Sequence, residues 1–124
     1  MANHTFLHMK RILQLEELAV LILAIFLLYQ HPLHLHWWQY GLLFFSPDLG
    51  MIGYALNPAV GAVTYNVTHH KATCFVLAGL GYYCMLPGLQ VVGMLFLAHS
   101  AFDRVLGYGL KYPDHFKHTS IGQL

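Results

Sequence analysis

Read for apolar and polar positions, the chain divides into four long apolar runs, separated by short polar breaks and followed by a polar tail. Residues 1–10 are a polar lead that ends beside the pair Lys10-Arg11. Residues 12–29 then form a run of spanning length, since about 20 apolar residues cross a bilayer as a helix. Glu16-Glu17 interrupt its start and no small-residue cleavage site follows, so it does not read as a signal peptide. His31-Pro-Leu-His34-Leu-His36 is a loop, with Pro32 stopping the first helix. Trp37, Trp38 and Tyr40 make an aromatic belt where the second run, residues 37–56, re-enters the apolar phase.

Ser46-Pro47-Asp48 lies in the middle of that second run and predicts a kink. Asn57-Pro58 is a turn and a helix start. The third run, residues 59–85, is longer than one span needs. Its first half is semi-polar (Thr64, Tyr65, Asn66, Thr68, His69, His70, Lys71) and its second half apolar and glycine-rich. One long tilted helix or two pieces broken near Lys71 both fit. Pro87-Gly88 is a tight turn, residues 89–106 are the last run, and residues 107–124 are the tail. Gly107 and Gly109 around Tyr108 allow a sharp turn there. The tail segment 111–117 either folds back over the polar groups as a lid or lies plainly on the surface.

Composition fixes the class. Of 124 residues, 57% are hydrophobic and only 9% charged, and mean hydropathy is +0.53. A soluble domain carries about 25% charged residues. The expected fold is therefore all-α: one integral membrane four-helix bundle over residues 1–124, with spans at about 12–29, 37–56, 59–85 and 89–106 and a short cytoplasmic C-terminal tail. A net charge of +1 gives nucleic acid no hold. Cys74 and Cys84 lie in an apolar run and read as packing residues rather than a disulfide. Lys10 and Arg11 precede the first span, Arg104, Lys111 and Lys117 follow the last, and the 31–36 loop has neither Lys nor Arg. By the positive-inside rule both termini are cytoplasmic, which requires an even number of spans.

The candidate chemistry is the set of ionisable residues inside the runs. At 1.5 Å per residue, Glu16, Asp48, His69, His99 and Asp103 all fall in the cytoplasmic half of the bilayer, and every span contributes. A charge at the bilayer centre costs about 2.5–3.5 kcal/mol on insertion scales, so such groups are expected to face one another. A divalent metal with carboxylate and imidazole ligands would neutralise them. Four-helix bundles build such sites, and oxygen and nitrogen donors without thiolate suit Zn, Mn or Fe. The candidate metal ligands are Glu16, Asp48, His69, His99 and Asp103, with Asp48, His99 and Asp103 as the catalytic candidates.

Each has a bland alternative. Asp103 could pair with Arg104 or Lys111, and His99, four residues before Asp103 on one helix face, could simply bond it. Glu16 could snorkel or meet Arg104. Asp48 has no neighbouring cation in sequence, so a local pair cannot explain it. Glu17 points about 100° away from Glu16 and reads as solvated or headgroup-facing. His69 shares a polar face with Tyr65 and Asn66, whereas His70 beside Lys71 looks interfacial. His31, His34 and His36 lie at the opposite side and read as loop.

The phrases Leu15-Glu16, Pro47-Asp48-Leu-Gly-Met-Ile-Gly53-Tyr54, Gly61-Ala-Val-Thr-Tyr65-Asn66-Val-Thr-His69 and His99-Ser-Ala-Phe-Asp103-Arg104-Val-Leu-Gly107-Tyr-Gly109-Leu-Lys111-Tyr-Pro113 carry a resemblance. They are similar to the DUF4260 family of small bacterial membrane proteins over nearly the whole chain. The resemblance implies four spans and singles out Glu16, Asp48, His69, His99 and Asp103, with Asn66 and Arg104 in support. It brings no established reaction. The family pattern has Thr-His-Leu-Gly in the tail where this chain has Thr119-Ser120-Ile121-Gly122. A tail histidine is thus missing, with His118 or His115 as the available substitutes, and Glu17 stands where the pattern has a small residue.

Three functions compete. The first is a membrane-embedded metal-dependent hydrolase acting on a lipid or amphipathic substrate at the cytoplasmic leaflet of a bacterial inner membrane. The second is haem binding by His69 and His99 for electron transfer. The third is a small transporter or structural membrane protein. Gly79, Gly81, Gly88 and Gly93 supply small-residue faces suited to helix contacts, within the chain or in a homo-oligomer.

Overall fold

The computed structural model describes residues 2–114 and 117–123. In chain order it has α1 (Ala2–Gln30), α2 (Trp37–Phe45), a 3₁₀ helix (Ser46–Ala55), α3 (Pro58–His69), α4 (Lys71–Tyr83) and α5 (Pro87–Val105). A two-residue antiparallel pair in the tail, β1 (His118–Thr119) with β2 (Gly122–Gln123), ends the order. The fold is all-α.

Among the described residues one helix, Asn3–Gln30, is long and apolar enough to cross a membrane. The other three expected spans are altered by their polar residues. In the second, Pro47 has no N–H to continue an α-helical ladder, and the chain goes on as the 3₁₀ helix. The third is two pieces: His70 is extended (φ −75°, ψ 133°), so α3 and α4 are separate helices. The fourth, α5, is continuous, but His99, Ser100, Asp103 and Arg104 crowd its last two turns.

The centre of the packing is α5, flanked by α1 and α4. The Gln14 side chain donates to the Val105 carbonyl (2.9 Å) and His31 Nε2 lies 2.7 Å from Gln90 Oε1, so α1 runs antiparallel to α5 and is tied to it at both ends. Ala24, Cys74, Leu97 and Ala98 are buried between these helices, with Val20, Leu21, Phe44 and Phe96 around them. Small residues let the backbones close in. Gly81 lies against Gln90 and Gly93 against Ala78, so these two glycines serve contacts within the chain. Cys74 is a packing residue as expected, and both cysteines are free.

The 3₁₀ helix and α3 form a second unit that packs chiefly on itself. Asn57 caps α3 by accepting from the Val60 N–H (2.8 Å), and Pro58 starts it. A 3₁₀ stretch of 10 residues is far longer than the usual three or four. Its support comes from α3: Thr64 Oγ1 donates to the Gly50 carbonyl and Thr68 Oγ1 to the Pro47 carbonyl (2.9 Å). Gly50 makes this approach possible, because a Cβ there would strike Thr68 Oγ1 and the Thr64 carbonyl.

After α5, Gly107 takes a left-handed conformation (φ 98°) and Tyr108 N–H donates to the Asp103 carbonyl (2.8 Å), turning the chain back. Asn66 then holds the tail from α3. Its amide donates to the Lys111 carbonyl (2.8 Å) and its oxygen accepts from the Lys111 N–H (2.7 Å). Large apolar side chains are exposed on α1, α2, the 3₁₀ helix, α3 and α4, among them Ile22, Phe26, Trp37, Ile52, Val63 and Phe75, and just beyond α5 at Leu106.

Candidate metal centre

The interface between the two units is polar. Asp48 lies in the first turn of the 3₁₀ helix and His69 is the last residue of α3, while His99 and Asp103 share one face of α5. Each of the four offers one donor atom, and these atoms lie within 4.8 Å of one another. The His69 and His99 Nε2 atoms are 3.1 Å apart. Asp48 Oδ1 is 3.3 Å from His69 Nε2 and 3.1 Å from His99 Nε2. Asp103 Oδ2 is 3.1 Å and 3.5 Å from the same two nitrogens.

These five separations, 3.1–3.5 Å, are close to the spacing of two donors bound to one ion. Metal–ligand bonds of about 2.0–2.1 Å to nitrogen and oxygen give tetrahedral edges of about 3.3–3.4 Å. The chemistry of the donors agrees. His69 Nδ1 lies 2.9 Å from the Tyr65 carbonyl, the position for an Nδ1–H donor. That tautomer turns the Nε2 lone pair toward two carboxylates and another imidazole nitrogen. The lone pairs of His69 Nε2 and the two carboxylates, gathered around His99 Nε2, repel unless a cation or shared protons sit between them. The cluster could hold a metal ion.

The surroundings hold these four side chains in place. Tyr65 donates its hydroxyl to Asp103 Oδ2 (2.9 Å) and stacks on the His69 ring, centroids 3.8 Å apart. Ser100 Oγ donates to the His69 carbonyl (2.6 Å) and accepts from Arg104 Nη1 (2.9 Å). Phe44 and Phe45 meet the His99 ring edge-on. Both imidazoles are buried, with side chains 2% exposed, whereas Asp103 is 15% and Asp48 39% exposed. Asp48 thus marks the open side. A cavity of about 260 Å³ meets the cluster there, lined by Asp48, Met51, Tyr65, Asp103, Tyr108 and Lys111.

Of the five expected ligands, four converge. Glu16 does not: it is exposed on α1, outside the cluster. Its neighbour Glu17, expected to face solvent or headgroups, instead turns inward and pairs with Lys71 Nζ at 2.6 and 2.7 Å. Asn66 and Arg104 support the site as described, one through the tail and the other through Ser100. His70 is exposed and caps α4, its Nδ1 accepting from the Ala72 N–H (3.0 Å). His31 is buried against Gln90 and is more than loop. The tail does reach the site, through Tyr108 and Lys111. At the tail position where the pattern has histidine, Ser120 Oγ accepts from the Leu110 N–H (3.0 Å). His115 lies outside the described residues, as does the side chain of His118. Ser100 and Phe44 were not anticipated, since the contacts that give them roles lie far apart in sequence.

The family model for a domain of unknown function, DUF4260, matches residues 10–124. The chain belongs to the DUF4260 family. The match contains the whole cluster and the tail that covers it. No curated protein and no solved structure matches the chain. In this DUF4260 protein the two histidines do not suit a haem. A macrocycle would have to pass between nitrogens 3.1 Å apart that also face two carboxylates.

Proposed function

We propose that the protein is an integral membrane metalloprotein in which Asp48, His69, His99 and Asp103 bind one divalent ion, and that it acts as a hydrolase on a lipid or amphipathic substrate at the cytoplasmic leaflet. The convergence of two imidazole nitrogens and two carboxylate oxygens within 4.8 Å of one another carries the metal reading. Two nitrogen and two oxygen donors without thiolate suit Zn, with Mn and Fe as alternatives. The large apolar residues exposed on α1, α2, the 3₁₀ helix, α3 and α4 support the membrane reading, because a water-facing monomer rarely leaves such surface uncovered. In this reading α1, the composite pairs α2 with the 3₁₀ helix and α3 with α4, and α5 are the four spans of a bacterial inner-membrane protein, with both termini cytoplasmic.

A bound divalent ion would supply Lewis acidity and a more acidic water. The chain's own residues divide the remaining work. His69, His99 and Asp103 are held by buried contacts and keep the ion in place. Asp48, the most exposed of the four, is free to exchange a proton with whatever enters the cavity. One observation favours a second reading. Four protein donors close a tetrahedral shell, which is the habit of structural rather than catalytic ions. An ion of that kind would only fasten the two units together.

Elemental analysis of protein purified in detergent tests the metal reading. One equivalent of metal is expected, and it should be lost in both Asp48→Ala and His99→Ala. Folded wild-type protein free of metal, or variants that keep it, would overturn the proposal. Hydrolysis of a lipid ester by the loaded protein separates the catalytic from the structural ion.

A further inference from the structure

The four side chains of the cluster are not held equally, and the difference singles out Asp48. His69 is fixed by the Tyr65 carbonyl at Nδ1 (2.9 Å), by the Tyr65 ring stacked on it, and by Ser100, which donates to its carbonyl (2.6 Å). His99 Nδ1 has no partner among the described residues, but Phe44 and Phe45 close on the ring and leave the side chain 2% exposed. Asp103 accepts from the Tyr65 hydroxyl (2.9 Å). Asp48 has no such support. Among the described residues it bonds only the two imidazole nitrogens, and a bound ion would take both of those. A ligating carboxylate is ordinarily anchored by a hydrogen bond of its own.

The backbone around Asp48, by contrast, is pinned. Thr68 Oγ1 donates to the Pro47 carbonyl (2.9 Å) and Thr64 Oγ1 to the Gly50 carbonyl, so the 3₁₀ turn on either side is fastened to α3. Motion is left to the carboxylate, and its destination is defined. Of the cluster only Asp48 and Asp103 line the cavity of about 260 Å³; neither imidazole does. A water fills about 30 Å³, so that space takes a turned carboxylate and a small molecule together. Asp48 is already 39% exposed, so turning does not strand its charge in apolar surroundings. We propose that Asp48 is a detachable ligand. Its carboxylate leaves the ion and swings into the cavity while His69, His99 and Asp103 keep their hold, and the vacated position takes a small oxygen donor such as water or the carbonyl oxygen of an ester. The inference rests on the metal reading and supplies the open position that a closed shell of four protein donors lacks.

The test uses full-length protein in detergent. Metal content is measured first, and the ion is then exchanged for cobalt(II), whose visible absorption reports the donors and their number. Azide, a small anion that replaces a carboxylate charge for charge, is titrated in. Wild type should show a saturable shift of the cobalt band at undiminished strength, because one donor replaces another. No shift, or a band that weakens as a fifth donor joins an unchanged shell, overturns the proposal. Two variants assign the departing donor. In D48C a thiolate, softer and tighter, takes the position; a sulfur-to-cobalt charge-transfer band should appear and azide affinity should fall about tenfold or more. In M51W an indole one 3₁₀ turn from Asp48 fills the cavity; metal content should be unchanged and azide affinity again about tenfold lower. D48C that shows the sulfur band yet binds azide as wild type does overturns the proposal, as does M51W with wild-type azide affinity. Where one variant takes up no cobalt, the other and the wild type decide. In all these cases the metal site stands. Protein without metal overturns the underlying reading instead.

Discussion

At the residue scale, the four residues of the cluster were legible because their surroundings made them costly. An aspartate amid Phe44, Phe45 and Leu49 with no cation in sequence needs a partner from elsewhere in the fold, and Asp48 finds His69 and His99. The choice between Glu16 and Glu17 was not legible. A helix that is apolar on all sides does not announce which face it buries, and α1 is apolar on all sides from Leu18 to Leu28. Its rotation is set by contacts such as Gln14 with Val105, and these turn Glu17 toward Lys71. Gly50 gives the sharpest test at this scale. Gly50→Ala places a methyl against the Thr64 carbonyl, which is backbone and cannot swing aside. The substitution should cost about 1–3 kcal/mol, as overpacking does, and lower metal retention by displacing Asp48. Denaturation in detergent together with metal analysis checks both. An unchanged protein would mean that the 3₁₀ helix and α3 can separate freely.

At the scale of elements, the breaks matter more than the helices. Proline and aspartate at 47 and 48 foretold an interruption, but not that the chain would continue as 3₁₀ helix. That outcome depends on Thr64 and Thr68 reaching across from α3. The break between α3 and α4 was one of two readings open in the sequence, because nothing local marks His70 as a cap. Histidine is not among the usual N-cap residues, yet here its Nδ1 accepts from Ala72 N–H while its backbone is extended. The break places His69 at a helix end, where its carbonyl is available to Ser100. His70→Ala should therefore cost about 0.5–2 kcal/mol, the worth of a capping side chain, and His70→Asn should restore most of it. Equal stability of wild type and the alanine variant in urea titrations would show that the extended residue, not its ring, ends the helix.

At the scale of the whole molecule, the candidate ion sits where the two units meet. Helices α1, α4 and α5 share a packed core. The 3₁₀–α3 unit touches α5 sparingly and joins it through the cluster, the Tyr65–Asp103 bond and the Ser100–His69 bond. A metal with ligands on both units would be their main fastener. An ion present at about 100 times its dissociation constant adds about 2.7 kcal/mol to the state that binds it, and here that energy would act on one seam. Chelation should therefore raise amide exchange across residues 46–69 and at Lys111, whose backbone depends on Asn66, while residues 89–98 at the centre of α5 stay protected. Hydrogen exchange read by mass spectrometry, with and without chelator, resolves these segments. A uniform loss of protection would mean that the molecule unfolds as one body. No change anywhere would mean that shared protons rather than an ion hold the four side chains together.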